Sequence, residues 1–256
     1  MTRVVKIGGR VQGDPLVAAA LCLAWNNSQK SLCVVHGGGD EVSSMQRALG
    51  SEATFVGGRR VTSQSDLDLL RMVLSGLVNK RLVNSLVAAG IPAVGLSGED
   101  DALISAELID AASLGFAGRP TAINAQLLRT LMDAGYMPVI SPVGYNAVSG
   151  QGGALNVNGD DAAAGIAVAL NAEELILIAD VEGVRGAQGD VVPALSIESS
   201  RELIASGVAA GGMAAKLESA HLALLAGVDR VRICDLAGLA DSERGTFITQ
   251  SQGVVS

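Results

Sequence analysis

Short runs rich in branched aliphatic residues alternate with longer stretches of helical period along this chain. That alternation restricts the fold more than any other feature. Strands are expected at Arg3–Ile7, 31–36, Ala93–Ser97, 137–143, 175–181 and 231–235. Helices are expected at 15–26, 40–49, 65–89, 122–134, 160–170, 199–205 and 213–226. This rhythm builds a mainly parallel sheet with helices on its faces. Aromatic residues make up only 2% of the chain, and abundant Ala, Val, Leu and Ile suit helix-on-sheet packing. Asp14 before Pro15 predicts an N-cap followed by proline at the first helical position. Gly90, Gly135 and Gly227 each follow a helical stretch, where a left-handed cap favours glycine. The polar segment 144–153 is expected as a hairpin or loop. No low-complexity linker or fixed repeat divides the chain, so only a soft boundary near Leu170 is expected, between lobes 1–170 and 171–256.

A net charge of −8 argues against a nucleic-acid partner, because phosphate backbones need a basic face. A phosphorylated small ligand needs only a local positive pocket. The three cysteines, Cys22, Cys33 and Cys234, form no CxxC pair and fit free thiols in a reducing cytosol. The first residues lack a secretory apolar region, and the longest apolar stretch, 16–25, is about half of a membrane span. A cytoplasmic protein with no membrane partner is therefore expected.

Three glycine-rich turns follow expected strands: Gly8-Gly9, Gly37-Gly38-Gly39, and Gly95 with Gly98. Such glycines either make tight turns or bring backbone N–H groups close to an anion, and each turn alone leaves both readings open. Neither a GxxxxGK[ST] loop nor a GxGxxG turn is present, which removes the main support for P-loop and dinucleotide-binding readings. Lys6 interrupts an apolar run, where a buried ammonium is costly without a partner. It is either a phosphate-directed charge or an edge-strand lysine reaching water. Lys216 is expected on the first turn of a helix opening at Gly211-Gly212-Met213. There it opposes the helix dipole, a conflict that a bound anion removes. In Asn156-Val157-Asn158-Gly159-Asp160, two amides face the same way on an extended segment and Asp160 is expected as the helix N-cap. Arg60 either offers a planar fork to a carboxylate or is a solvated surface charge. His36 stands near no Ser or Cys elbow and is expected to be a strand-end histidine bonded to backbone.

Read in order, these segments resemble the amino acid kinase family. The matching runs are Lys6-Ile-Gly-Gly9, Val35-His-Gly-Gly-Gly39, Gly58-Arg-Arg-Val-Thr62, Gly76-Leu-Val-Asn-Lys80, Ala93-Val-Gly-Leu-Ser-Gly98, Asn156-Val-Asn-Gly-Asp160, Ala179-Asp-Val-Glu-Gly183 and Gly212-Met-Ala-Ala-Lys216. The resemblance implies a three-layer α/β/α fold with a mainly parallel central sheet. It also implies transfer of the γ-phosphoryl group of ATP to the side-chain carboxylate of N-acetyl-L-glutamate, an early step of arginine biosynthesis. Carried over by position, Lys6 and Lys216 would stabilise the transferring group and Asp160 would orient them. Gly38, Gly39, Arg60 and Asn156 would hold the acylated amino acid. Gly8, Gly9, Asp180, Val181, Gly183 and Met213 would border the nucleotide. Magnesium would arrive with ATP, with no metal site of the protein's own. The first lobe would bind the amino acid and form a homodimer, and the second would bind ATP. Arginine-inhibited members carry an N-terminal helix that links dimers into hexamers; here the first strand begins almost at once, which implies insensitivity to arginine.

A carboxylate is already ionised at neutral pH, so this reaction needs alignment and positive charge but no general base. The nearest alternative is a sister kinase acting on a carrier-protein-linked aminoadipate or glutamate, whose substrate mouth would be basic. Three positions depart from the family pattern. Arg59 replaces a typically apolar residue, Gly159 stands where alanine is commoner, and Asp161 adds acidity beside Asp160. Beyond Asp235 the chain is atypical apart from Gly245-Thr246.

Overall fold

The computed structural model describes residues 2–148 and 152–250. Strands β1 (Arg3–Ile7), β2 (Leu32–His36), β3 (Phe55–Val56), β4 (Arg59–Arg60), β5 (Ala93–Ser97), β6 (Ile104–Leu108) and β7 (Ala117–Ile123) come from the first half of the chain. They are followed by β8 (Met137–Ser141), β9 (Val143–Asn146), β10 (Ala154–Val157), β11 (Glu174–Ile178), β12 (Ala194–Ser196), β13 (Arg230–Cys234) and β14 (Thr246–Thr249). Between them run α1 (Val17–Asn27), α2 (Gly39–Ala48), α3 (Gln64–Leu70), α4 (Asn79–Ala88), α5 (Ala111–Leu114), α6 (Ala125–Asp133), α7 (Gly159–Leu170), α8 (Ile197–Ala205) and α9 (Gly212–Leu225).

The main sheet has the order β12-β14-β13-β11-β1-β2-β8-β5, and every pair in it is parallel except β13 with β14. β1 lies inside this sheet, so Lys6 is no edge-strand lysine. On one face, Leu21 and Trp25 of α1 and Leu82 and Leu86 of α4 pack over Val5, Val34, Val139 and Ile176. On the other, Ala163 and Ile166 of α7 and Leu217, Ala220 and Leu224 of α9 cover Val4, Val35, Leu175 and Val231. Each fully buried aliphatic side chain contributes roughly 1.5–3 kcal/mol relative to exposure. Alanines on α7 let that helix lie close against the strands. The result is the expected three-layer sandwich. Among the described residues, no helix is long and apolar enough to cross a membrane, and the three cysteines are free thiols.

Several local expectations are corrected. The 137–143 strand breaks at Pro142, whose ring nitrogen has no N–H to continue the ladder; Val143 then opens β9. β9 joins β6, β7 and β10 in a small closed barrel. β7 takes residues 122 and 123 away from the expected helix start, which falls instead at Asn124, the N-cap of α6. β9 and β10 pair antiparallel, as a hairpin reading of 144–153 requires, while residues 149–151 of that segment lie outside the described residues. The 65–89 helix is three pieces: α3, a widened π-helical stretch over Arg71–Val78, and α4. α1 opens at Val17 instead of residue 15, because Asp14 heads the preceding turn, accepting from Leu16 N–H at 2.8 Å. The three predicted helix-ending glycines, Gly90, Gly135 and Gly227, all have positive φ.

Candidate active site

β1 and β2 pair in register and end together at Ile7 and His36, so the glycine turns that follow them meet backbone to backbone. A Cβ on Gly9 would stand 3.3 Å from the Gly38 nitrogen, and one on Gly37 3.3 Å from the Gly9 nitrogen. Gly38 N-caps α2 at φ 141°, and a Cβ there would stand 2.7 Å from Leu74 Cδ2. Only glycine meets both conditions. Gly95 lies inside β5, where its carbonyl accepts from Lys80, so Gly98 alone follows that strand.

The predicted charges converge at this end of the sheet. Lys6 Nζ is 2.9 Å from Asp160 Oδ1, and Lys216 Nζ is 3.1 Å from both carboxylate oxygens. Asp160 is not the N-cap. Asn158 is, its Oδ1 accepting from the N–H groups of Asp160 (2.8 Å) and Asp161 (3.4 Å). Asp160 thus sits within the first turn of α7 and spends its carboxylate on the lysines. Lys216 is the fifth residue of α9, one turn further in than expected. All three side chains are nearly buried. Burial alone would raise the Asp160 carboxyl, but the charges and hydrogen bonds of Lys6 and Lys216 outweigh it and hold the pKa below the usual value. Burial, reinforced by the Lys6 charge, lowers Lys216 to about 8 against the attraction of Asp160. Two ammonium groups share one carboxylate, so the cluster presents net positive charge with N–H donors, the donor set that a phosphoryl group requires.

Beside it lies a cavity of about 280 Å³ lined by Gly38, Gly39, Arg60, Asn156, Asn158 and Gly159, among others. Gly159 of its lining abuts Lys6: a Cβ on Gly159 would be 3.2 Å from Lys6 Cε. Arg60 is buried instead of solvated. Its guanidinium donates to Gln46 Oε1, to Gly39 O (2.9 Å) and to Ser43 Oγ (2.8 Å), with the Phe55 ring stacked 4.8 Å away. Asn156 Nδ2 donates to Thr62 Oγ1 at 2.9 Å. The backbones of Gly8 and Gly9 follow β1, and Asp180, Val181 and Gly183 follow the neighbouring β11. Asp180 is exposed and paired with Arg10 at 3.0 Å. Gly183 is buried, since a Cβ there would meet Thr246 Oγ1 at 2.7 Å. Met213 stands in the first turn of α9. Among the described residues, no group of three or more His, Cys, Asp and Glu is arranged to hold a metal ion.

His36 is bonded to backbone as expected. Its Nδ1–H donates to Gly37 O at 2.7 Å, which leaves Nε2 to accept from Asn79 Nδ2 at 3.1 Å. Burial lowers its pKa to about 4, so the ring is neutral. Sequence reasoning missed Asn79, which also donates to Val139 O at 2.9 Å. It missed Ser43 and Gln46, which seat Arg60, and Arg10, which bridges Asp180 and Asp40. Only Asn79 had a signal, lying in one of the family-like runs. The two departures Arg59 and Asp161 prove to be partners, 2.8 Å apart.

The sheet and the charged cluster together define the class: an α/β enzyme with a positively charged site for handling a small anionic group. The chain belongs to the amino acid kinase family, whose model matches residues 1–235. It is 42% identical to the acetylglutamate kinase of Chloroflexus aurantiacus, over 97% of each chain. It is 43% identical to that of Paracoccus denitrificans, over 91% of this chain and 76% of the relative. Among solved structures, smu.665 from Streptococcus mutans superposes with a TM-score of 0.87 at 31% identity, over 98% of this chain and 99% of the other.

Proposed function

We propose that this enzyme transfers the γ-phosphoryl group of ATP to the side-chain carboxylate of N-acetyl-L-glutamate. The observation that carries this reading is the Lys6–Asp160–Lys216 cluster standing beside the cavity lined by Gly38, Gly39, Arg60 and Asn156, with Gly159 of that lining against Lys6. The acylated amino acid fits that cavity with its α-carboxylate towards the Arg60 guanidinium and its polar groups towards Asn156 and the glycine amides. Its side-chain carboxylate is ionised at neutral pH and attacks without a base. The obstacle is electrostatic: an anion must approach a polyanion. Lys6 and Lys216 offset the charge that develops on the transferring oxygens, and Asp160 keeps both ammonium groups in place. The turn at Gly8 and Gly9, the segment from Asp180 through Val181 to Gly183, and Met213 at the start of α9 border the nucleotide. Magnesium enters as part of the nucleotide substrate. Residues 1–170 supply the amino acid site and a homodimer contact, and residues 171–256 supply the ATP site, in a cytoplasmic enzyme of arginine biosynthesis.

The resemblance to acetylglutamate kinases at about 42% identity favours this substrate over a carrier-linked one. Arg59, the slight basic signal for a carrier, is committed to Asp161. A hydroxamate assay tests the choice: turnover is expected with N-acetyl-L-glutamate and not with carrier-linked glutamate or aminoadipate. Activity on the carrier-linked substrate alone would overturn it.

A further inference from the structure

Arg59 Nη1 lies 2.8 Å from Asp161 Oδ2, and Asp161 Oδ1 accepts from Ser219 Oγ–H at 2.8 Å. This line of contacts crosses three elements, β4, α7 and α9. β3 and β4 each contribute two residues to a hairpin, and an isolated two-stranded hairpin is marginal in water. Yet this hairpin carries Arg60. Successive strand residues point to opposite faces, so Arg60 reaches α2 through Gly39, Ser43 and Gln46 while Arg59 reaches α7. Asp161 is one residue after Asp160, and Ser219 is one helical turn after Lys216. The hairpin is thus tied on one side to the amino acid cavity and on the other to both helices that carry the phosphoryl-directed charges.

We propose that Arg59, Asp161 and Ser219 form a strap that holds the Arg60 hairpin against α7 and α9, making Arg59 and Asp161 positioning residues for amino acid binding. The proposal rests on the phosphoryl-transfer reading above. The Arg59 side chain is 32% exposed and that of Asp161 11%, so the pair is sheltered from solvent screening more than a surface ion pair is.

Two readouts test the strap. In Arg59→Leu and in Asp161→Asn, exchange of the Val61 amide, which bonds Thr54 O across the hairpin, is expected to accelerate at least about five-fold. The KM for N-acetyl-L-glutamate is expected to rise about ten-fold in each, with kcat and the KM for ATP within roughly two-fold of wild type. The double variant is expected to be no worse than either single one, because the two changes remove one interaction. Arg59→Lys, which keeps a cation, is expected to recover most of the affinity. An unchanged KM in Arg59→Leu overturns the strap, whether or not the melting temperature falls or exchange quickens. A wild-type protein that fails to phosphorylate N-acetyl-L-glutamate, with exchange still faster in both variants, overturns the substrate reading and leaves the strap standing.

Discussion

In the proposed reaction, Lys216 would tie turnover to pH. Its folded-state pKa of about 8 lies below the ordinary 10.5, so the ammonium sheds its proton earlier than a lysine in water. The kcat/KM is expected to fall as pH rises through about 8; a profile flat to roughly pH 9.5 would remove Lys216 from the reaction. Stability moves the other way over the same range. Between about 8 and 10.5 the unfolded chain keeps a proton that the fold has lost, so the fold gains stability as pH rises through that window. Replacing Lys216 with Met is expected to lower turnover roughly 10²–10³-fold, by analogy with loss of one oxyanion donor. The same variant should melt no lower than wild type, because Lys6 still neutralises Asp160 and the repulsion between the lysines is gone. Asp160→Asn is the opposite case. It leaves two buried ammonium groups unpaired, at a cost of about 3–5 kcal/mol in chemical denaturation, and shifts the alkaline limb to lower pH. A normal melting curve for Asp160→Asn would refute the neutralising role of this carboxylate.

Among the elements, the glycine turn between β2 and α2 tolerates little change. Gly38→Ala would combine a strained backbone at φ 141° with a Cβ 2.7 Å from Leu74 Cδ2. A loss of about 1–3 kcal/mol in denaturant unfolding is expected, with a raised KM for the acylated amino acid. Leu74 belongs to the widened stretch over Arg71–Val78, which also brings Ser75 Oγ to 2.7 Å from Ser141 Oγ. Widened helical turns of this kind are frequent at functional sites. The stretch was invisible in the sequence, since its apolar spacing reads as ordinary helix. Six strands of the main sheet, β1, β2, β5, β8, β11 and β13, were legible because packing between helix layers favours aliphatic runs, whereas the short β12 and β14 were not. The barrel strands were not: Gly118, Pro120 and Thr121 break the apolar pattern of β7, whose edge is satisfied by closure rather than by alternation. The N-cap of α7 was missed by two residues because two cap-competent side chains, Asn158 and Asp160, compete there. The lysines were legible as misplaced charges, but the Arg59–Asp161 contact joins positions on separate elements that no local pattern connects.

For the molecule as a whole, the buried neutral His36 predicts acid sensitivity. Its pKa falls from 6.5 in the unfolded chain to about 4 in the fold, so the unfolded state binds the extra proton as pH drops through that window. Stability is expected to decline from about pH 6.5 to 4 by up to about 3 kcal/mol, and the decline should flatten in His36→Gln. Urea midpoints measured across that range decide it; an unchanged slope in the variant would assign the acid sensitivity elsewhere. The sheet joins residues that are remote in sequence, with Arg3 opposite Glu174 and Ile7 opposite Ile178. On the ribosome, β1 can therefore find β2 soon after emergence, but its other edge stays open until about 170 further residues have been made. During that interval Val4, Val5 and Ile7 offer an apolar, unpaired strand edge to any passing segment, and this nascent chain is a natural client for chaperones that cover such edges.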